Sequence, residues 1–362
     1  MKKKIRAIGA GVLAAAWLSL SLIAWFQPPR EQSDAERRKL AQMPKLTLSA
    51  LLDGSFMEKF EDYGVDQFPL RDGFRTVKAL FSQKVLLQKD NNGYFVKDGY
   101  IVKQTYPLNK TSVNHAVTVF DGLHTMYLQD TDCRIYFTVV PDKGYYLDGY
   151  PAMDYEQLQG RLEQALPWAQ FIDVRDTLQL SSYYRTDTHW RQEALLQTAG
   201  VICQAMEAPL PGDYTRQAAT DHFYGVYYGH AAIPMDPETL YLLENQLLSQ
   251  CVVYGAQGNV LEFYDESKLT GADPYEVYLS GNQPYLRIEN PNATTDRELV
   301  IFRDSFGSSI APLLLQGYKT VTLVDVRYIN PELLGQFITF TDQDVLFLYS
   351  TLILNESATL RK

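Results

Sequence analysis

The chain has 362 residues, 46% of them hydrophobic, which is enough for a large core and excludes an intrinsically disordered protein. Its formal net charge is −10, which excludes a nucleic-acid-binding role because neutralising phosphates requires clustered lysines and arginines. Cys133, Cys203 and Cys251 are too few for a disulfide framework and lack the spacing of metal ligands. We expect small buried thiols, and the sequence leaves one disulfide pair among them open.

The first 26 residues predict a membrane anchor. Residues 1–6 are basic, and an uncharged apolar run follows over residues 7–26. At about 1.5 Å each, these residues span about 30 Å, the thickness of the hydrocarbon core. Because positive charge stays in the cytoplasm, we expect a single-pass protein of the cell membrane with its N-terminus inside. The alternative is a cleaved signal peptide, but the end of the run lacks the small residues of a cleavage site.

The residues after the anchor predict a stalk and then a domain. Residues 27–46 are polar and bordered by prolines, which indicates a stalk, and residues 47–362 are predicted to form an extracytoplasmic domain. Its first elements are a helix capped by Ser49, a helix over residues 74–87 and a β-hairpin over residues 94–102.

From residue 110 onward, predicted helices and strands alternate. Continuous apolar strands separated by helices indicate an α/β fold, with a parallel sheet covered by helices on both faces. Residues 207–285 are rich in Tyr, Gly and Pro, and only Cys251–Tyr254 and Val260–Tyr264 resemble strands there. The remaining predicted helices cover residues 110–129, 155–166, 190–206, 306–316 and 331–340, and the strands cover 134–140, 171–174, 299–302, 320–325 and 345–349.

A serine follows one of these strands in the sequence LVIFRDSFGSSIAPLL, residues 299–314. Ser305 is predicted at a turn between strand and helix, at the carboxyl edge of the sheet where open α/β folds place their sites. Amides of the following turn are positioned to stabilise an oxyanion, and Gly307 permits close approach of a substrate to the backbone. The alternative is that Asp304 or Ser305 only caps the helix.

A second segment, YYRTDTHWRQEALL at residues 183–196, supplies Asp187 and His189. A carboxylate two residues before a histidine can fix the imidazole tautomer and stabilise the imidazolium. With Ser305, the chain then holds a nucleophile, a base and an orienting carboxylate, whose order along a chain is free. The alternatives are a helix cap with a surface histidine, or a metal site that adds His222 and His230. That spacing does not suit a metal, so we expect neither metal nor cofactor.

These motifs resemble the DHHW family, a set of bacterial membrane-anchored proteins related to the alginate O-acetylation proteins. The similarity extends over nearly the whole extracytoplasmic part, and the signature Asp-x-His-Trp is present with Thr188 at its second position. The matching segments are residues 36–72, VVPDKG at 139–144, DTHW at 187–190, LVIFRDSFGSSIAPLL at 299–314 and LVDVRYIN at 323–330.

The resemblance implies an SGNH-hydrolase-like, flavodoxin-like fold that is circularly permuted, so that the Asp-x-His pair precedes the serine. It maps Asp187, His189 and Ser305 onto the family's catalytic triad. It also implies O-acetylation, or less often deacetylation, of an extracellular polysaccharide. In such systems a membrane-bound O-acyltransferase passes the acyl group across the membrane.

Three further residues are candidates for binding substrate or an oxyanion. Lys143 and Arg327 follow predicted strands, so each is expected near the site, although a salt-bridge role is an equal alternative. Trp190 joins them as the last residue of the signature.

The function that we expect is serine O-acetyl transfer through an acetyl–Ser305 intermediate to a polysaccharide acceptor. An esterase with the same three residues is the first alternative, because only the exclusion of water distinguishes the two. A non-catalytic scaffold of a surface-polymer assembly complex is the second, and it would require none of the three.

Overall fold

The computed structural model describes residues 2–361, so that Met1 of the predicted basic segment 1–6 and Lys362 of the predicted domain 47–362 lie outside the described residues. The chain divides into two compact units. The first comprises Met1–Asn92 and Tyr228–Pro234, and the second comprises Gly93–Tyr227 and Met235–Lys362. Residues 47–92, which the sequence analysis grouped with the following domain, therefore fall in the first unit.

The α-helices, in chain order, are α1 Lys2–Phe26, α2 Leu48–Leu52, α3 Ser55–Asp66, α4 Arg71–Lys84, α5 Lys110–Leu123, α6 Tyr155–Ala165, α7 Leu196–Ala205, α8 Val226–Ala231, α9 Gly307–Ile310 and α10 Thr351–Asn355. The strands are β1 Gln32–Ser33, β2 Arg38–Lys39, β3 Tyr94–Lys97, β4 Tyr100–Lys103, β5 Arg134–Val140, β6 Gln170–Phe171, β7 Thr215–Phe223, β8 Glu238–Glu244, β9 Val252–Gly255, β10 Val260–Leu261, β11 Tyr285–Glu289, β12 Glu298–Arg303, β13 Thr320–Val324 and β14 Asp344–Ser350.

The first unit contains the predicted anchor and the predicted stalk. Within α1, Lys4–Phe26 is long and apolar enough to cross a membrane, with a mean hydropathy of 2.0. The stalk segment 27–46 is folded, since β1 pairs with β2 and the Arg38 guanidinium donates two hydrogen bonds, of 2.8 and 2.6 Å, to Asp66 of α3. These hydrogen bonds lower the pKa of Asp66 to about 2. Residues 27–46 are therefore attached to α3 and do not form a free linker.

An eight-stranded sheet forms the centre of the second unit, in the order β10–β9–β11–β13–β12–β14–β5–β6. The strands from β13 to β6 are parallel to one another, as expected from their intervening helices. The strands β11, β9 and β10 pair antiparallel, which corrects the expectation of an all-parallel sheet. For β9 and β10 the reason lies in their connection, because a tight turn joins them whereas a parallel pair requires a long crossover.

Both faces of this sheet are covered. On β12, Val300 and Phe302 face a core with α5 and α6, while Leu299 and Ile301 face a core with α7 and residues 306–315. A strand buried on both faces is apolar at most positions, which is why β12 appears in the sequence as the apolar run Leu299–Phe302.

The helix predicted at residues 306–316 is shorter than expected. It forms a single α-helical turn, α9, and continues as the 3₁₀ helix Ala311–Gly317. Pro312 has no amide hydrogen and its ring clashes with the preceding turn, so an α-helix cannot continue through it. The helix predicted at residues 331–340 is likewise a 3₁₀ helix, Pro331–Gln336, with a proline at its start.

Candidate active site

The turn after β12 places Ser305 at the carboxyl edge of the parallel strands, between β13 and β14. Asp304 fixes this turn, because its carboxylate accepts the Phe306 amide at 3.0 Å and the Ser350 amide at 2.8 Å. The Asp304 carbonyl also accepts the Gly307 amide at 3.1 Å. Asp304 is fully buried, whereas Ser305 is only half-buried, so part of this residue is open to solvent.

Ser305, His189 and Asp187 form a continuous hydrogen-bonded chain. The Nε2 atom of His189 lies 2.7 Å from the Oγ atom of Ser305, and its Nδ1 atom lies 2.6 Å from the Oδ2 atom of Asp187. Since a carboxylate only accepts hydrogen bonds, this network assigns the ring proton to Nδ1 and leaves Nε2 free to accept from Ser305. The structure thus brings together the three residues that the sequence analysis singled out, although 116 positions separate His189 from Ser305.

The backbone around Asp187 holds its carboxylate in place. Its Oδ1 atom accepts the Val226 amide at 2.8 Å, and its Oδ2 atom also accepts the His189 amide at 3.2 Å. The neighbouring glycine permits this approach, because a Cβ atom on Gly225 would lie 2.1 Å from the Cβ atom of Asp187. Thr186 completes the support, since its hydroxyl accepts the Gly225 amide and donates to Glu238.

Tyr275 supports His189 from the interior, and Trp190 shares the hydrogen-bond acceptor of Tyr275. The ring of Tyr275 stacks on the imidazole, with 3.8 Å between ring centroids and an interplanar angle of 4°. The Tyr275 hydroxyl donates to Ser309 at 2.7 Å, and the indole nitrogen of Trp190 donates to the same oxygen at 2.9 Å. Trp190 is fully buried and its ring contacts that of Phe306 edge-on, so the expected contact with a substrate is corrected.

Lys143 lies beneath the site and not on its surface. Only 1% of the residue is exposed, and its ammonium donates to the carbonyls of Tyr184 and Arg185 at 2.8 and 3.2 Å. Burial lowers the pKa of Lys143 to about 7, against the opposing attraction of Asp187. The expected contact with substrate or oxyanion is therefore corrected, and Lys143 instead holds the backbone that leads into Asp187.

Arg327 and Gly307 also contact other residues of the protein. The Arg327 guanidinium binds Asp325 through two hydrogen bonds, of 2.8 and 2.6 Å, which is the salt-bridge alternative of the sequence analysis. Burial acts to lower the pKa of Arg327, but the hydrogen bonds to Asp325 outweigh it and raise the pKa. A Cβ atom on Gly307 would lie 2.6 Å from the Cβ atom of Arg303, so this glycine admits a buried arginine and not a substrate.

Few backbone amides near Ser305 are available to bind an oxyanion. The amides of Phe306 and Gly307 are both bound to Asp304. Among the described residues, the Ser305 amide has no hydrogen-bond acceptor, so it is the backbone donor left at this turn. Within residues 2–361, no cluster of three or more His, Cys, Asp or Glu is arranged to hold a metal ion.

Sequence reasoning missed three of the supporting residues. Tyr275 and Gly225 come from the region 207–285, outside the two segments of that region that resemble strands in the sequence. Ser309 lies one helical turn after Ser305, and the second serine of the FGSS sequence was the available signal for it.

Comparison with known proteins shows a family resemblance. The sequence profile of the DHHW protein family matches residues 172–324, a segment that contains Asp187, His189 and Ser305. The resemblance to the DHHW family is confirmed. No protein with a curated description matches the sequence.

Two solved structures share the fold of this DHHW-like chain. A DHHW family protein from Eubacterium siraeum is 20% identical, with a TM-score of 0.59, and the match covers 75% of this chain and 97% of that one. PatB1 from Bacillus cereus, in a structure with a sulfonyl adduct, is 20% identical with a TM-score of 0.57, over 72% of this chain and 95% of that one. Both matches support the mixed α/β architecture built on a mostly parallel sheet.

Proposed function

We propose that this protein is a membrane-anchored, extracytoplasmic serine O-acetyltransferase that acetylates a cell-surface or secreted polysaccharide. The observation that supports this most directly is the chain of hydrogen bonds from Ser305 through His189 to Asp187, at the carboxyl edge of the sheet. We assign the fold to the SGNH-hydrolase-like, flavodoxin-like class in its circularly permuted form, because the Asp-His pair precedes the serine. The acetyl group and the polysaccharide are what the family resemblance implies.

In the first half-reaction, the Oγ atom of Ser305 attacks the carbonyl carbon of the acyl donor while the Nε2 atom of His189 takes the hydroxyl proton. The imidazolium is stabilised by Asp187, 2.6 Å from its Nδ1 atom. The Ser305 amide is the donor that stabilises the negative charge on the carbonyl oxygen. The tetrahedral intermediate then collapses, the bond to the leaving group breaks, and His189 returns the proton to that group.

The second half-reaction repeats these steps with a sugar. His189 removes the proton of a polysaccharide hydroxyl, the resulting oxygen attacks the acetyl–Ser305 ester, and the serine leaves as a hydroxyl after receiving that proton. Replacing the sugar by water gives the esterase reaction, so the two functions differ only in the acceptor. A membrane-bound O-acyltransferase is the proposed source of the acyl group, and no metal or cofactor takes part in these steps.

A sulfonyl fluoride tests the nucleophile directly. An activated serine displaces fluoride from sulfur to form a sulfonate ester, and PatB1 has been solved with a sulfonyl adduct. We expect one equivalent of label on Ser305 by mass spectrometry, slow hydrolysis of p-nitrophenyl acetate, and loss of both in Ser305→Ala. The matched control is Ser308→Ala, which removes a hydroxyl from the same turn and should keep both.

An acceptor distinguishes the transferase from the alternatives. Oligosaccharides added to the acylated protein should become acetylated in proportion to their concentration, and His189→Ala should slow both half-reactions by about 10²- to 10⁴-fold. Release of acetate with no acetylated sugar at any acceptor concentration would instead favour an esterase. Unchanged labelling and hydrolysis in Ser305→Ala would contradict the enzymatic proposal and favour the non-catalytic scaffold.

A further inference from the structure

Helix α4 in the first unit exposes an apolar face and buries a polar one, which is the reverse of an ordinary surface helix. Five apolar residues, three within α4 and one at each of its ends, recur at spacings of three and four, so they share one face, and each is between 49% and 76% exposed. We call them the apolar stripe, and they are Leu70, Phe74, Val77, Phe81 and Val85. The opposite face buries Arg71 and Ser82 together with Ala79. A helix that faces only water exposes its polar residues, so this stripe requires a cover.

Ion pairs on the buried face hold α4 in this orientation. Arg71 lies 2.5 Å from the Glu36 carboxylate, and Arg75 lies 3.2 Å from the other oxygen of the same group. Arg75 also donates to the carbonyls of Gly229 and His230 at 2.9 and 3.1 Å. Rotating α4 to bury the apolar stripe would break these interactions and leave charged groups without partners. The exposure of the stripe is therefore fixed by the fold of the unit.

The apolar stripe is continuous with the anchor helix α1. The ring of Phe68 contacts that of Phe74 edge-on, with 5.5 Å between centroids, and its centroid also lies 6.4 Å from that of Trp17. The Gln27 side chain at the end of α1 donates to the Gln67 carbonyl. Trp17 precedes the end of α1 by nine residues, which is about 13 Å along an α-helix. Phe68 and the start of the stripe are thus beside the apolar part of α1 and not beyond its end.

We propose that the apolar stripe of α4 lies in the outer leaflet of the membrane that α1 crosses, with lipid acyl chains as its cover. An amphipathic helix binds a bilayer in this way, with its apolar face among the acyl chains and its cations near the headgroups. Lys78 and Lys84 of α4 are exposed and are the cations available to phosphates. The proposal concerns how the protein is held at the membrane, and it rests on α1 spanning the bilayer and not on acyl transfer.

Single labelled cysteines in the full-length protein test the location of the stripe. The background has its three native cysteines replaced by alanine and must retain the circular dichroism of the parent. The positions are Val77→Cys and Phe81→Cys in the stripe, Leu13→Cys in α1 as a lipid reference, and Asp62→Cys on the exposed polar face of α3 as the matched control. Each variant carries an environment-sensitive nitrobenzoxadiazole label in vesicles of phosphatidylcholine and phosphatidylglycerol that contain doxyl-labelled lipid.

We expect blue-shifted emission and strong quenching by the doxyl lipid at Val77, Phe81 and Leu13, and neither effect at Asp62. Quenching at Leu13 without quenching at the two stripe positions would overturn the proposal, leaving a protein partner or a second copy of the chain as the cover. The absence of quenching at Leu13 as well would overturn the membrane anchor together with the proposal. Because these readouts do not depend on Ser305, they are independent of the outcome of the acylation experiments.

Discussion

The imidazole of His189 is constrained on both nitrogen atoms and on one ring face. Asp187 and Ser305 lie at hydrogen-bonding distance from its two nitrogens, and Tyr275 stacks on the ring. A base held in this way needs little rearrangement before it accepts a proton, which is the main advantage of a preorganised site.

Replacing the Asp187 carboxylate tests whether it fixes the tautomer of the His189 imidazole. In Asp187→Asn the side-chain amide can donate to Nδ1, which moves the ring proton to Nε2 and prevents this atom from accepting the proton of Ser305. We expect the rate of ester hydrolysis to fall by about 10⁴-fold with little change in the thermal unfolding temperature. A stable variant with nearly full activity would mean that Asp187 does not orient His189.

The stacking of Tyr275 is tested by two substitutions of different shape. Tyr275→Phe keeps the ring on His189 and loses only the hydrogen bond to Ser309, whereas Tyr275→Leu loses both. We expect the leucine variant to lose more kcat than the phenylalanine variant, with KM little changed and the pH–rate profile displaced only in the leucine variant. Equal losses in the two variants, with no change of pH profile, would indicate a purely structural residue.

At the scale of elements, the backbone of residues 225–226 is pressed against Asp187. A Cβ atom in Gly225→Ala would lie 2.3 Å from the Cα atom of Asp187, which is backbone and cannot move aside as a side chain can. We expect a loss of about 1–3 kcal/mol in the free energy of unfolding, together with lower activity. Gly160→Ala in α6 is the matched control, since nothing lies within 4 Å of its Cβ position and an exposed helical alanine should gain about 0.5–1 kcal/mol. Equal denaturant midpoints for the two variants would contradict this packing.

The ionisation of Lys143, which binds the segment before Asp187, should make the free energy of unfolding depend on pH. Its pKa is lowered from 10.5 to about 7 by burial, so between these values the unfolded chain binds a proton that the folded chain does not. Stability must then rise with pH across this window, because the unfolded state holds more protons there. Relative to Lys143→Met, the wild-type free energy of unfolding should increase between pH 7 and pH 10.5 by up to a few kcal/mol. A difference between the two proteins that stays constant with pH would show that Lys143 is charged in the folded state.

The sequence allowed the positions of the main elements to be predicted, but not the side-chain environments. The apolar run before Ser305 and the Asp187-Thr188-His189 segment are local patterns, so both could be recognised. Whether Lys143 points toward solvent or into the core depends on which carbonyls pack over it, and these belong to residues about 40 positions away. The antiparallel pairing of β9 and β11 likewise depends on tertiary contacts, because an apolar run has no direction of its own.

At the scale of the whole molecule, the length and apolar character of α1 predict the topology of the chain in the membrane. Its apolar segment Lys4–Phe26 should keep the protein in the membrane fraction after alkaline washing, and protease added outside intact cells should remove the rest of the chain. The control is a cytoplasmic protein, which must survive the same treatment. Recovery of a soluble form that begins near residue 27 would indicate a cleaved signal peptide.

The position of β14 in the sheet has a consequence for biosynthesis. This strand is the last of the sheet to be synthesised, yet it lies between β12 and β5, so the two sides of the sheet are joined only through it. Until the ribosome has passed residue 350, each side presents an open strand edge and cannot complete its pairing. The second unit therefore cannot complete its central sheet until nearly all of its residues have been synthesised.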